Sequence, residues 1–244
     1  MMKFKMLQRT DTFLKFRISF YSINLVHLII MAYRLLSIKF EEADDVNLHQ
    51  YSKLKWILLT TWFNLLTLPY IPICIYCDWC TLKQKHQRKH VKLLSEVRTF
   101  MFTNLVFPVT TFADILFWRL WFLNRKFLMP FSIDNLISVW EHNSMHTASL
   151  IFVFMDLVIV FRERPKNILP GVVALFSFIT AYTSVCLYAM LNEEYVYPLF
   201  KMFKGHKLFV LILYSYLSLL FYHSGQWIIV DLIHNRKYIT KKLM

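Results

Sequence analysis

The sequence predicts an all-helical integral membrane protein, a polytopic bundle of about six transmembrane helices with both termini in the cytosol. Hydrophobic residues make up 57% of the 244 residues and charged residues only 18%, against about 45–50% and about 25% in soluble domains. Apolar windows of about 20 residues, long enough to cross about 30 Å of hydrocarbon as helices, recur along the whole chain. They are continuously apolar rather than alternating, which favours helices over barrel strands.

The predicted spans form a single membrane domain over residues 1–244. They lie near 18–36, 55–76, 100–122, 136–161, 168–191 and 208–233, separated by short polar links. The first span follows the basic residues Lys3, Lys5 and Arg9, and no small-residue cleavage site comes after it. It is therefore predicted to be an uncleaved signal anchor.

Basic residues set the predicted orientation, because cytosolic segments of membrane proteins carry an excess of Lys and Arg. Most of them fall in the N-terminus, in the links at 83–98 and 162–166, and in the tail. The first link instead carries four carboxylates between residues 41 and 45, and we expect it to face the lumen or the outside.

The chain ends in Lys241-Lys242-Leu243-Met244. This pattern has the form of a dilysine retrieval signal, which a receptor reads on a cytosolic tail. It favours the endoplasmic reticulum, with the plasma membrane as the second location. The alternative is a basic helix end that touches lipid headgroups.

Composition also excludes several classes of function. The three glycines are too far apart in the sequence to build a nucleotide-binding loop or a nucleophile elbow. The net charge of +13 lies in short clusters between apolar runs, which suits anionic lipid headgroups, and no nucleic-acid partner is expected. Cys74, Cys77 and Cys80 have no suitably placed fourth ligand for a metal site. Because they lie beside a basic loop, the prediction is either acylation of Cys77 or Cys80 or simple packing of unmodified side chains.

Polar side chains within the spans are the place to look for function, because they are costly in hydrocarbon unless they face the bundle interior. They are Thr60, Thr61, Asn64 and Thr67 in the second span, Asn104, Thr110, Thr111 and Asp114 in the third, His142, Asn143, His146, Thr147 and Asp156 in the fourth, and His223, Ser224, Gln226 and Asp231 in the sixth. For most of the hydroxyl groups, the alternative is a hydrogen bond within one helix or between helices.

Thr61 and His146 are predicted to lie at a similar depth. If both of their spans run inward from the outer face, Thr61 lies about 10 Å and His146 about 8–15 Å from that face. A threonine hydroxyl becomes a useful nucleophile when a base removes its proton, and histidine suits that role near neutral pH. Asn64, one turn after Thr61, would stabilise an oxyanion, orient the hydroxyl, or hold two helices together.

A metal oxidase is the strongest rival from spacing alone. His86 and His90, like His142 and His146, are separated by three residues, which puts two rings on one helix face. Membrane di-iron desaturases also need adjacent histidines, and the nine histidines of this chain include no such pair. The two pairs are also predicted to lie on opposite sides of the membrane, so no metal or organic cofactor is expected.

Four sequence blocks together resemble one protein family. They are Trp-Ile-Leu-Leu-Thr-Thr-Trp-Phe-Asn-Leu-Leu at 56–66, Phe-Pro-Val-Thr-Thr-Phe-Ala-Asp-Ile-Leu-Phe-Trp at 107–118, Trp-Glu-His-Asn-Ser-Met-His-Thr at 140–147 and Tyr-Val-Tyr-Pro at 195–198. Their order and spacing over 56–226 are similar to those of the androgen-induced and androgen-dependent TFPI-regulating proteins. The resemblance implies a multi-span membrane hydrolase that cleaves fatty acid esters of hydroxy fatty acids with a threonine nucleophile and a histidine.

When the block at 56–66 is aligned by its Asn-Leu-Leu end, the family nucleophile falls on Thr61, three residues before Asn64. When the same block is counted from Trp56, the nucleophile falls on Thr60 instead. The family histidine falls on His146. Its block also supplies the candidate supporting or substrate-binding residues, which are Trp140, His142 and Asn143.

Two departures from the family pattern concern the surroundings of the base. His142 and Asn143 stand where the family has Asn followed by His, and Gln226 stands where it has a glutamate that would orient a base. The predicted function is cleavage of amphiphilic long-chain esters drawn from the membrane lipids. The alternative is a catalytically silent lipid-binding or regulatory membrane protein of the same fold.

Overall fold

A computed structural model describes residues 10–234, which form helices and connecting turns without a strand. The helices are α1 (Asp11–Leu36), α2 (Tyr51–Leu54), α3 (Leu59–Leu82), α4 (Lys89–Met101), α5 (Phe107–Asn124), α6 (Val139–Ile159), α7 (Leu169–Leu191), α8 (Leu199–Met202) and α9 (His206–His234). The predicted all-helical fold is confirmed. The basic residues Lys3, Lys5 and Arg9 and the Lys241-Lys242 pattern lie outside the described residues.

Within this part of the chain, five helical stretches are long and apolar enough to cross a membrane. They are Asp11–Leu36, Val46–Leu82, Lys89–Phe127, Leu169–Leu191 and His206–Ile233. The remaining predicted span is helical as α6, but its histidines and other polar residues leave it outside this group. The protein is therefore an integral membrane protein, while the count of six spans and the cytosolic termini stay predictions.

Local sequence explains where the helices of the site begin and how they continue. Ser138 and Glu141 form a capping box at the start of α6, in which each side chain bonds the other's backbone N–H. α4 runs into α5 through a π-helical segment, Phe102–Val106, which is a short π turn within a continuous helix. Short 3-10 turns lie in two of the links between the long helices. They are Phe40–Glu42, Val46–Leu48, Arg125–Phe127 and Phe131–Asn135.

Charged side chains are buried where α1, α3, α4 and α6 meet. Arg17 of α1 and Arg98 of α4 both donate to Oδ1 of Asp78 in α3, at 2.6 and 2.9 Å. Arg98 also donates to the hydroxyl of Tyr21 at 2.8 Å. The hydroxyl of Tyr21 in turn donates to Oδ2 of Asp156 in α6 at 2.9 Å.

Asp156 extends this network to the end of α6. It accepts a hydrogen bond from the hydroxyl of Tyr70 at 2.7 Å and forms an ion pair with Arg162. Arg162 also lies over the ring of Phe102, 3.6 Å from its centroid. We call Arg17, Tyr21, Tyr70, Asp78, Arg98, Asp156 and Arg162 the ionic cluster. Arg98 and Arg162, which the sequence assigns to cytosolic links, are in fact buried and paired.

Candidate active site

Thr61 and His146 line one cavity of about 230 Å³, which we call cavity 1. Its walls come mainly from α3, α5, α6, α7 and α9, and most of the lining side chains are apolar. The polar side chains of its lining are Lys55, Thr60, Thr61, Asn64, His142, His146, Tyr182, Thr183, Tyr197 and Ser215. Four of the residues predicted from sequence therefore share this cavity with the Thr61 side chain.

Thr61 lies in the first turn of α3. Leu58, the N-cap residue, has an extended backbone, so the helix starts directly before Thr60 and Thr61. The backbone N–H of Leu59 donates to the hydroxyl of Tyr197 at 3.0 Å, which ties this end of α3 to the loop before α8. The hydroxyl of Thr61 donates to the carbonyl oxygen of Lys55 at 2.6 Å. In this conformation, the hydroxyl is thus held by backbone rather than by a base.

The buried side chain of His146 is fixed from two sides. Its ring stacks on Phe117 with centroids 3.5 Å apart, and its Nδ1 lies 2.9 Å from Oδ1 of Asp114. Oδ2 of Asp114 accepts the hydroxyl of Ser149 at 2.5 Å. α5 and α6 thus build a carboxylate–histidine pair beside cavity 1.

Asp114 is the partner of His146 that sequence reasoning missed. It was identified as a polar residue of the third span but not as the partner of His146. The available signal was a carboxylate in an apolar helix, which requires a buried partner. The Asp114 side chain is fully buried, and His146 is the titratable group that it contacts.

His142 lines cavity 1 one turn before His146. Its side chain is 1% exposed, and its ring lies between Phe117 and Trp121, with centroid distances of 5.8 and 5.0 Å. Among the described residues, no group hydrogen-bonds to either of its ring nitrogens. A buried imidazole without partners costs free energy, so this ring is ready to bind a polar group that enters the cavity.

The other residues of the predicted histidine block lie elsewhere. Trp140 is 74% exposed, and Asn143 donates to the carbonyl oxygen of Val139 at 3.0 Å on the outer face of α6. Neither residue lines cavity 1. Gln226 donates to the carbonyl oxygens of Thr103 and His223, at 2.6 and 2.8 Å. The family carboxylate replaced by Gln226 is therefore not the one that orients His146 here.

The remaining sequence candidates also have defined surroundings. Nε2 of His90 lies 3.0 Å from the hydroxyl of Tyr76. Over residues 10–234, no group of three or more His, Cys, Asp or Glu side chains is placed to hold a metal ion. Cys77 and Cys80 are buried, so an acylating enzyme would not reach them in this conformation.

A second cavity of about 250 Å³, cavity 2, lies between α1, α3 and α6. Thr61, Asn64 and Met145 line both cavities. Leu36 and Trp56, which also line both, are 51% and 53% exposed. Exposed apolar side chains therefore border both cavities.

Comparison with known proteins places the chain among membrane proteins of one family. The sequence model of the family described as FAR-17a/AIG1-like protein matches residues 16–229, and the resemblance predicted from the four sequence blocks is confirmed. No solved structure matches the chain.

Several curated relatives are similar over much of the chain. The androgen-dependent TFPI-regulating protein of Mesocricetus auratus is 31% identical over 120 residues, which are 49% of this chain and 52% of that protein. The Mus musculus protein of the same name is 28% identical over 173 residues, 70% of this chain and 73% of that protein. The Homo sapiens androgen-induced gene 1 protein is 26% identical over 163 residues, 64% and 68% of the two chains. The chain thus spans about half the length of the Mesocricetus auratus relative.

Proposed function

We propose, since the chain belongs to the FAR-17a/AIG1-like protein family, that it is a membrane-embedded hydrolase of amphiphilic long-chain lipid esters. Its substrates would be fatty acid esters of hydroxy fatty acids, with Thr61 as the nucleophile and His146 as the base. The observation that carries this proposal is that Thr61 shares a cavity with a histidine whose Nδ1 is held by the buried carboxylate of Asp114.

The Asp114 contact supports Nε2 of His146 as the atom that acts as the base. A carboxylate that accepts the Nδ1 proton fixes the imidazole tautomer and leaves Nε2 free to take another proton. It also stabilises the imidazolium that then forms. The Thr61 hydroxyl turns from the Lys55 carbonyl oxygen toward Nε2 before it attacks.

The reaction then proceeds through an acyl-threonine. Oγ1 of Thr61 attacks the ester carbonyl carbon while its proton passes to Nε2 of His146. The bond from this carbon to the alcohol oxygen breaks, and the leaving oxygen takes the proton from Nε2. A water molecule next gives a proton to Nε2 and attacks the acyl carbon. The bond to Oγ1 breaks, Thr61 regains the proton, and the fatty acid leaves.

The surroundings of Thr61 favour the negative charge that develops on the carbonyl oxygen. The N-terminus of a helix carries partial positive charge, and Thr61 lies in the first turn of α3. The amide of Asn64 lines both cavities beside it. Both groups suit the stabilisation of an oxyanion.

The cavity lining also suits an amphiphilic substrate. Apolar side chains dominate both cavities, and Lys55 is the one lysine or arginine among the described residues that line them. A long-chain ester with a carboxylate would find apolar walls for its chains and a cation for its charge. Its chains would enter past Leu36 and Trp56 from the surrounding lipid.

A catalytically silent lipid-binding or regulatory protein is the second candidate. One observation favours it: the Thr61 hydroxyl donates to the Lys55 carbonyl oxygen instead of to His146. If that hydrogen bond persists with a lipid in cavity 1, the protein binds the ester without cleaving it.

Labelling with a fluorophosphonate probe separates these two functions. Membranes with the parent protein are compared with Thr61→Ala, Thr60→Ala and His146→Ala at matched expression. We expect labelling to be lost in the Thr61 and His146 variants and kept in Thr60→Ala, the matched control in the same helical turn. A folded parent that is not labelled would contradict the hydrolase and favour the lipid-binding protein.

We also propose residence in the endoplasmic reticulum, on the pattern Lys241-Lys242. Replacing both lysines with serine would release the protein toward the plasma membrane if a receptor reads the pattern. Fluorescence imaging of an internally tagged chain measures the distribution. An unchanged distribution would show that the dilysine pattern does not determine the location of the protein.

A further inference from the structure

We propose that the two cavities divide the substrate at its ester group, with the alcohol portion in cavity 1 and the acyl chain in cavity 2. This assignment rests on the proposed hydrolase function and deepens it. It makes the enzyme selective for esters that carry an apolar chain on each side of the bond that breaks.

The geometry begins with the residues that the cavities share. Cavity 1, of about 230 Å³, and cavity 2, of about 250 Å³, are similar in size. Both reach Thr61, Asn64 and Met145. A carbonyl carbon at the Thr61 hydroxyl therefore has apolar space in two directions. An ester with one long chain would leave one of these spaces without a ligand.

The two faces of α6 distinguish the cavities chemically. His142 and His146, four residues apart on one face, line cavity 1. Ser144 and Ala148, four residues apart on a neighbouring face, line cavity 2. Neither histidine is among the described residues that line cavity 2. The base therefore reaches an ester from the side of cavity 1.

The direction of proton transfer then assigns the two chains. The alcohol oxygen must receive a proton from Nε2 of His146 as its bond to the carbonyl carbon breaks. That oxygen, and the alcohol chain attached to it, therefore lie on the side of cavity 1. The acyl group remains bonded to Thr61 through this step, and the space left for its chain is cavity 2.

The charge of Lys55 agrees with this assignment, because cavity 2 is lined by uncharged polar side chains such as Asn24 and Thr110, and by no lysine or arginine among the described residues. Lys55 and the unpartnered ring of His142 both line cavity 1 and are absent from the described lining of cavity 2. An alcohol portion that carries a second polar group, such as a carboxylate, would satisfy them. A plain acyl chain has no such group.

Small residues in the two linings allow each cavity to be narrowed separately. Cys186 of α7 lines cavity 1 only, and Ala148 of α6 lines cavity 2 only. Cys186→Leu and Ala148→Leu each add apolar volume to one cavity. Ala181, which is exposed on α7, gives the control variant Ala181→Leu with the same new side chain outside both cavities.

The test measures kcat/KM on two series of esters in detergent micelles, with released fatty acid determined by mass spectrometry. One series keeps a butyl alcohol and lengthens the acid from butanoate to octanoate to hexadecanoate. The other keeps butanoate and lengthens the alcohol in the same steps. We expect Ala148→Leu to lower the ratio of long-chain to short-chain kcat/KM about tenfold in the acid series alone, and Cys186→Leu to do so in the alcohol series alone.

The proposed function is judged on the parent protein, and the cavity assignment on the variants. A folded parent that cleaves none of the esters overturns both. If the parent is active, the cavity assignment alone is overturned by any of three results. These results are that the two variants lower the long-chain to short-chain ratio of kcat/KM in the same series, that each lowers it in the series opposite to the expected one, and that neither variant lowers it in either series. Ala148→Val and Cys186→Val, which add less volume, replace either leucine variant that does not fold and are expected to change the same series by a smaller factor.

Discussion

The ionic cluster and the candidate active site both bury ionisable side chains between helices. The partners that offset the cost of burying these side chains differ between the two regions. In the ionic cluster, Asp78 contacts two arginines, and Asp156 contacts Arg162 and two tyrosine hydroxyls. In the candidate active site, the buried carboxylate of Asp114 contacts a histidine and a serine hydroxyl. Here, the described arginines and lysines form no ion pair with it.

This difference indicates a structural role for the ionic cluster and agrees with the functional role proposed for the candidate active site. Oppositely charged partners offset much of the cost of removing ions from water, so the ionic cluster fixes α1, α3, α4 and α6 relative to one another. In the ionic cluster, Oδ2 of Asp78 also lacks a hydrogen bond among the described residues, but its other oxygen contacts two arginines. In the candidate active site, neither ring nitrogen of His142 has a partner among the described residues, and the ring lines cavity 1. Polar groups left unsatisfied in the folded protein cost stability and become useful when a ligand satisfies them.

The largest effect is expected when the ionic cluster is broken at Arg98. Arg98→Met leaves Asp78 with Arg17 alone and removes the donor to Tyr21. Removing one partner of a buried ion pair costs about 3–5 kcal/mol. The measurement is the thermal unfolding midpoint in detergent, with exposed Lys92→Met on the same helix as the control. Equal midpoints for both variants would mean that the cluster does not hold the bundle together.

The next effect concerns Asp114 and changes activity more than stability. Asp114→Asn keeps the size of the side chain and can still accept the Ser149 hydroxyl, but it no longer provides a carboxylate for Nδ1 of His146. The imidazole loses its preferred tautomer, and we expect kcat to fall about 100-fold or more. Ester hydrolysis and the unfolding midpoint are measured together.

Ser149→Ala serves as the control for this change, since it removes a partner of Asp114 and leaves the contact with His146. Its loss of activity should be much smaller. If Asp114→Asn kept the parental kcat, the carboxylate would have a structural role, like the carboxylates of the ionic cluster.

A smaller effect is expected at Tyr197, which holds the start of α3 next to Thr61. Tyr197→Phe removes the acceptor for the Leu59 N–H, a hydrogen bond worth about 1 kcal/mol. Activity should fall several-fold while the fold is kept. Burial raises the pKa of Tyr197 to about 12, so the hydroxyl stays protonated and the loss should be constant from acidic to mildly alkaline pH.

Tyr195→Phe is the matched control for Tyr197→Phe. The ring of Tyr195 contacts Lys201, and Tyr195 is not among the described residues that line cavity 1. Rates of ester hydrolysis over a range of pH make the comparison. Equal rates for both tyrosine variants would show that the Leu59 contact does not position the nucleophile.

The smallest effect is expected at Lys55, on the rim of cavity 1. Lys55→Met keeps the backbone carbonyl that binds the Thr61 hydroxyl and removes the cation. A partly exposed ion pair is worth about 0.2–1 kcal/mol, so kcat/KM for an ester with a carboxylate should fall a few-fold. The kcat/KM of Lys55→Met for the methyl ester of the same substrate should equal that of the parent. The control variant Lys53→Met, at an exposed lysine, should keep the parental kcat/KM on both substrates. A similar fall for the methyl ester would indicate a steric role for Lys55.

Much of the bundle follows from the sequence because hydrocarbon permits few structures. Apolar windows predicted the long helices, and observed bounds such as Leu169–Leu191 differ from the windows by few residues. α4 was predicted as part of a charged link. It is helical, and Arg98 near its end pairs with Asp78 inside the bundle. Local hydropathy does not reveal a partner on another helix.

The candidate site was predictable only in its residue types. Thr61, Asn64 and His146 were identified from chemistry and from the family resemblance, and the structure places all of them on cavity 1. The partner of His146 was not identified, since Asp114 lies 32 residues away on a different helix. Which faces of α5 and α6 meet depends on how the two helices rotate and slide against each other.

By itself, the sequence determined that the surrounding medium is a bilayer, that the chain crosses it as helices, and that a few polar side chains lie within those helices. Only the tertiary structure decided which of these side chains are paired, and that the two cavities meet at Thr61. The physical reason is that hydropathy and helix periodicity act over a few turns. The contacts that build ion pairs and cavities are made between distant helices packed side by side.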